Sequence, residues 1–150
     1  MVRELDAVNG VQRIIGYNFN DTRILWLALQ AAGSGVGGND GNKVRAMQGD
    51  AVLQLVIIDI LSAAGHSRGS ISDAKTSIAS NNNLAERCTA TGLTQFINVN
   101  PSQRNADAPK TRAATVEAVI GAVYTDSGRN MAVVEQVMHA LGLDAPSADG

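Results

Sequence analysis

The sequence predicts an all-α single domain, and three observations carry that prediction. No stretch sustains the every-second-residue alternation of apolar and polar side chains that a half-buried strand needs. Apolar residues recur instead at three- and four-residue spacing, between short segments rich in Gly, Asn and Ser. The chain has 150 residues, of which 45% are hydrophobic, the length and composition of one domain with one core.

Val11, Ile14 and Ile15 form a short stripe closed by Gly16. Asp21 is a good N-cap for a helix carrying Ile24, Leu25, Leu27, Ala28 and Ala31, expected to run to Gly33. The loop that follows, residues 33–42, holds the spacing G-x-G-x-x-G at Gly33, Gly35 and Gly38. A dinucleotide site needs a strand before that motif; a helix precedes it here, so it reads as a linker. Residues 43–64 form a helix that is apolar nearly all round after Asp50, the character of a bundle's centre. Gly65 to Gly69 closes it. Ser70 or Ser72 starts another helix to about Ser80, and Asn81, Asn82 and Asn83 supply an N-cap for Leu84 to Thr91, ended by Gly92. Residues 98–109 read as an irregular polar loop. A helix from about Lys110 to Ser127 carries the small residues Ala113, Ala114, Ala118, Gly121 and Ala122, which permit close approach of a neighbour. The last helix, about Asn130 to Leu141, buries Met131, Val134, Val137 and Met138. The core is expected to span about residues 8–142, with 143–150 a frayed tail.

Twelve basic and 14 acidic residues give a net charge of −2, and aromatics are only 3%: Tyr17, Phe19, Trp26, Phe96 and Tyr124. This argues against a basic nucleic-acid module with interleaved stacking rings. Cys88 is the single cysteine, which excludes an internal disulfide and fits a reducing compartment. The first six residues have no apolar signal core, so an intracellular location, cytoplasm or nucleus, is expected. The greasiest run, residues 51–64, contains Gln54 and Asp59 and falls short of the ~20 residues of a membrane span. His66 and His139 read as surface histidines, and Cys88 as a small core residue.

Within apolar helices the polar positions carry the information. Asp50 follows Gly49 at the start of the greasiest segment, and Glu117 lies between Val116 and Ala118. An ionised carboxylate in such surroundings is costly unless a metal, a cation or several donors meet it. Two acids on two packed helices can face one shared site.

Four segments, taken in order, resemble the ribonuclease III family. Residues 42–56, Asn-Lys-Val-Arg-Ala-Met-Gln-Gly-Asp-Ala-Val-Leu-Gln-Leu-Val, are similar to its signature helix, which typically ends Gly-Asp-Ala-Val-Leu. Residues 11–19 followed by 25–29 resemble its opening helices. Residues 75–85 resemble its helix junction, and residues 113–128, Ala-Ala-Thr-Val-Glu-Ala-Val-Ile-Gly-Ala-Val-Tyr-Thr-Asp-Ser-Gly, its last signature. The resemblance implies a helical-bundle endonuclease domain that forms a homodimer through the central signature helix.

Members of that family cut double-stranded RNA with magnesium held by four carboxylates per subunit. By this resemblance Asp50 and Glu117 occupy two of the four positions. The other two fall on Ala46 and Ala114, and a further family glutamate falls on Lys43. The family's Thr-His after the second helix falls on Gln30 and Ala31. Two acids suit a single weakly held magnesium ion at best, so standard cleavage of duplex RNA is expected to be lost or strongly impaired, with no cofactor required. The favoured reading is a non-standard ribonuclease acting on single-stranded RNA. The alternative is an inactive scaffold for dimerisation or for docking to RNA or the ribosome. A third reading is a slow metal nuclease with water or Gln48 filling the gaps. Lys43, Arg45, Arg104, Lys110 and Arg112 are candidate RNA contacts, and Met47 replaces the family phenylalanine that plugs the partner subunit. An RNA-binding domain, absent from these 150 residues, is expected in trans or in a longer parent chain.

Overall fold

The computed structural model describes residues 2–100 and 108–145. Among them the secondary structure is helical: α1 (Glu4–Ile15), α2 (Thr22–Ala28), α3 (Lys43–Ala63), α4 (Arg68–Ile78), α5 (Asn81–Thr91), a 3-10 turn (Leu93–Phe96), α6 (Pro109–Asp126) and α7 (Met131–Ala140). The all-α expectation holds.

Several boundaries differ from the sequence reading, each for a local reason. The first helix begins at Glu4, well ahead of its apolar stripe; Glu4 and Asp6 sit in its first turn, where the helix dipole favours acids. Ala7 is fully buried, so the core starts before residue 8. In α2 the Asp21 carboxylate accepts from the Arg23 amide, as a cap should. That helix stops at Ala28 rather than Gly33, because the next residues pair with a distant segment. The Asn98 amide donates to the Leu29 carbonyl at 2.9 Å and the Ala31 amide to the Asn98 carbonyl at 2.9 Å, an isolated parallel bridge. The Ser67 hydroxyl caps α4 and Ser80 caps α5, so each helix begins earlier than the later polar residues suggested. Pro109 stands at the first position of α6, where its missing N–H is no loss. At the other end, Leu143 is buried at 1% exposure, so the core includes this first residue of the expected frayed tail.

The centre is α3 packed on α6. Val52, Leu53, Val56, Ile57 and Leu61 of α3 meet a core that includes Val116, Val119, Ile120 and Val123 of α6. The crossing point is made of glycine. A Cβ placed on Gly49 would lie 1.6 Å from the Glu117 carbonyl oxygen, and one on Gly121 would lie 2.6 Å from the Arg45 carbonyl oxygen. The two backbones therefore touch directly, with no side chain between them. The whole of α3, 21 residues, is long and apolar enough to cross a membrane by length and composition alone, whereas the apolar run 51–64 within it is shorter. Its packing on α6 gives it the place of a core helix.

A second polar seam ties the loops to this centre. Gln30, Asn42, Asn98 and Thr115 are buried. The Gln30 amide nitrogen donates to the Trp26 carbonyl at 2.9 Å, and its oxygen accepts from Asn98 Nδ2 at 2.7 Å. Asn42 Nδ2 donates to the Ala28 carbonyl at 2.8 Å and to Thr115 Oγ1 at 3.2 Å. Buried polar groups are tolerable when hydrogen-bonded, and among the described residues of this seam Asn98 Oδ1 is the atom left without a partner. The glycine-rich segment threads past the seam: Gly41 has φ +55° and its α-carbon faces the Gln30 carbonyl too closely for a side chain. That packing supports its reading as a linker, with no strand before it.

Candidate active site

Because Gly49 and Gly121 let α3 and α6 touch, the residues beside the crossing are brought together. Asp50 follows Gly49, and Glu117 lies one turn before Gly121. Their carboxyl groups are within hydrogen-bonding reach of each other. Burial, first, then the hydrogen bond to Asp50 and the charge of Asp50, push the Glu117 carboxyl from 4.5 up to about 8. Glu117 thus favours its protonated form at neutral pH, with Asp50 as its hydrogen-bond partner.

The Asp50 carboxylate also accepts from Gln54 Nε2 at 2.8 Å, one turn further along α3. Asp50 and Gln54 form one wall of an open cleft of about 390 Å³; Ser72, Lys75, Thr76, Ala79 and Ser80, on α4 and its junction with α5, form the other. Ala46 stands one turn before Asp50 and is buried, and Ala114 stands one turn before Glu117 and is partly buried. Among the described residues, no group of three or more His, Cys, Asp or Glu side chains is gathered in a metal-binding arrangement.

The candidate basic residues are scattered. Lys43 is exposed at the first position of α3, and Lys110 is exposed in the first turn of α6. Arg45 is held within the fold: its guanidinium donates to Gln48 Oε1 and to Thr125 Oγ1, each at 2.9 Å. That engagement also turns Gln48 away from the Asp50 cleft, towards a separate groove with Leu27, Asn42 and Val44. Arg112 donates to the Ala85 carbonyl and the Thr89 hydroxyl, and so joins α6 to α5. Arg104 lies outside the described residues. Met47 is 74% exposed on α3, with Val44 at 70% and Leu55 at 47%. His66 pairs with the Ser70 hydroxyl and His139 with Asp144, both contacts exposed, and the buried Cys88 thiol is pushed up by burial.

Three residues went unassigned in the sequence reading. Gln54 carried a usable signal, since i to i+4 spacing places it above Asp50. Lys75 was visible only as part of the helix junction. Asp126 closes the far end of α6: it accepts from the Tyr17 hydroxyl at 2.6 Å and from the Asn20 and Asp21 amides at 2.8 and 2.9 Å. Burial acts to raise the Asp126 carboxyl, but these three donors outweigh it and hold it below its ordinary value.

An all-helical bundle organised on a glycine crossing, with an acid on each of the two crossing helices, defines the class. The ribonuclease III domain family model matches residues 45–128, and the chain belongs to that family. It is similar to ribonuclease 3 of Caenorhabditis briggsae, 36% identical over 124 residues, covering 79% of this chain and 12% of that protein. It is 26% identical over 129 residues to ribonuclease 3 of Coxiella burnetii, covering 83% of this chain and 54% of the relative. The chain thus spans about an eighth of the nematode relative and about half of the bacterial one. Its fold matches the crystal structure of the nuclease domain of ribonuclease III from Campylobacter jejuni, with a TM-score of 0.77, 21% identity and coverage of 93% and 96%. A second structure of that nuclease domain, described for flexibility in its dimer-forming region, matches with a TM-score of 0.71 at 22% identity.

Proposed function

We propose that this domain is an RNA endonuclease of altered chemistry, working by proton transfer through Asp50 and Glu117. The observation that carries the reading is their convergence on the fixed α3–α6 crossing, and burial beside Asp50 favours the protonated form of Glu117. Such a pair offers one group to take a proton and one to give it. In the step proposed, the RNA 2′-hydroxyl attacks the adjacent phosphorus. Its proton passes to the Asp50 carboxylate as the O2′–P bond forms. The P–O5′ bond breaks, and the departing 5′-oxygen takes the Glu117 proton. The products are a 2′,3′-cyclic phosphate and a 5′-hydroxyl. A-form duplex holds the 2′-oxygen out of line for this attack, so single-stranded RNA is the proposed substrate.

The donor set does not fit the family's magnesium arrangement. Methyl groups stand at Ala46 and Ala114, which leaves Asp50 and Glu117 as the acids the two crossing helices offer there, too few oxygen ligands for that arrangement. No step is therefore routed through a metal, and magnesium-dependent cleavage of duplex RNA is proposed to be lost or strongly impaired. The exposed Val44–Met47–Leu55 face of α3 supports an isologous homodimer. RNA affinity is proposed to come partly from a domain elsewhere in a longer chain or in trans.

The test is incubation with single- and double-stranded RNA, with and without chelator, followed by analysis of the ends. Chelator-resistant 2′,3′-cyclic phosphate ends on single-stranded RNA are expected. Efficient magnesium-dependent duplex cuts with 5′-phosphates and two-nucleotide 3′ overhangs would refute the reading. The exposed α3 face also suits a scaffold whose role is association. If Asp50→Ala and Glu117→Ala leave RNA cleavage at the wild-type level and damage only folding, the scaffold reading replaces the enzymatic one.

A further inference from the structure

The cleft beside the carboxylate pair contains a cation that the proposed chemistry has not used. Lys75 lies in the last turn of α4 and is partly buried. Ser72, Lys75, Thr76 and Ala79 occupy one face of α4, at the three- and four-residue spacing that lines up a helix surface. That face looks across the cleft at Asp50 and Gln54 on α3. Lys75 has not collapsed onto the acid. Among the described residues the ion pairs are Arg23–Glu4 and His139–Asp144, and Asp50 is satisfied by Gln54 and Glu117 instead. The cleft therefore holds one uncommitted ammonium, the hydroxyls of Ser72, Thr76 and Ser80, and an acid on the far wall. Thr76 Oγ1 and Ser80 Oγ donate to the Ser72 and Ser77 carbonyls of α4, so the ammonium is the cleft's main free donor, and a cation facing a carboxylate across a gap is a site for an anionic group with polar substituents.

We infer that Lys75 binds a backbone phosphate of RNA in this cleft, and so positions the neighbouring ribose against Asp50, the member of the carboxyl pair that lines the cleft. The inference rests on the RNA-directed reading above and adds the group that compensates phosphate charge without a metal. Lys75 acts as a positioning residue: its compact ammonium fixes the strand, while the acids move protons. Near-neutral net charge elsewhere on the chain makes this contact a large share of the electrostatic grip.

The experiment measures binding of a 12-nucleotide single-stranded RNA with 2′-O-methyl riboses by fluorescence anisotropy across a salt series. Methylation blocks the 2′-oxygen, so binding is read apart from cleavage. Lys75→Gln is expected to weaken binding about three- to tenfold at low salt and to flatten the slope of log Kd against log salt by about 0.7, the value for one phosphate contact on a single strand. Lys75→Arg is expected to restore the slope. Arg13→Gln, a charge removed on the exposed face of α1, is expected to leave it unchanged, and thermal melts establish that each variant is folded. A Lys75→Gln slope equal to wild type, an equal loss in Arg13→Gln, or no binding by the wild type would each overturn the proposal. If the slope falls as expected while wild-type protein cleaves no RNA, the phosphate site stands and the proton-transfer chemistry falls.

Discussion

Replacing Glu117 by glutamine should change how the fold's stability depends on pH. The folded carboxyl titrates at about 8 and the free one at 4.5. Between those values the folded chain holds a proton that the unfolded chain releases. Stability contributed by this group is therefore complete below pH 4.5 and is lost as pH rises towards 8, with the full penalty above that. At 1.36 kcal/mol per pH unit the interval sets an upper bound of about 5 kcal/mol. Glu117 is only partly shielded from water and shares its proton with Asp50, which brings the expectation to about 2 kcal/mol. Glutamine keeps the amide donor towards Asp50 and cannot ionise. Urea unfolding followed by circular dichroism, from pH 4.5 to 9 in chelator, measures the difference. Glu117→Gln and wild type should have similar stability near pH 4.5, with the variant about 2 kcal/mol more stable by pH 9 and the urea slope unchanged. A constant difference across the range would show that Glu117 ionises freely, and the shared-proton account of the site would fail.

The glycine crossing predicts that Gly49→Ala costs about 3 kcal/mol or more in thermal or urea unfolding, because the new Cβ meets backbone rather than a movable side chain. Gly69→Ala on α4 has open space around it, and should change stability by less than about 1 kcal/mol in the same assay. Asp126→Asn should lose about 1–2 kcal/mol at pH 7, since one amide cannot accept from all three donors. The difference should shrink as pH falls below 3.8, where the wild-type carboxyl begins to lose its depressed-pKa advantage. Met47→Lys should leave the monomer's melting almost unchanged, because the side chain is already 74% exposed. Sedimentation at micromolar concentration should show that it disrupts the proposed dimer.

Elements with local signals were readable from the sequence. Asp21, Gly16 and Gly92 mark helix ends that the structure keeps, because a cap is a contact between residues a few positions apart. The glycines and alanines of α6 announced a close helix neighbour, and the neighbour proved to be the turn of α3 from Arg45 to Gly49. What depended on distant partners was hidden. Nothing near Leu29 says that a strand-like pairing with Asn98 will end α2 early, since the partner is 68 residues from Gln30. Arg112 looked like a phosphate contact by charge alone, yet its guanidinium is engaged by α5. Ser70 and Ser72 read as the starts of α4, while Ser67, the actual cap, was hidden inside the Gly65 to Gly69 turn. Lys75 gained meaning only when α4 was seen to face Asp50 across a cleft.

The glycine contact at the α3–α6 crossing has a consequence for how such a domain can change over time. Main chain, not side-chain volume, sets the separation of the two helix axes. The spacing between positions 50 and 117 is then a property of the chassis and does not depend on which residues stand at 46 or 114. Exchanging side chains at those two positions alters what the site can hold without shifting the frame that presents it. Chemistry and architecture are thus uncoupled, so a domain of this design can drift between reactions, or to none, while still folding as one.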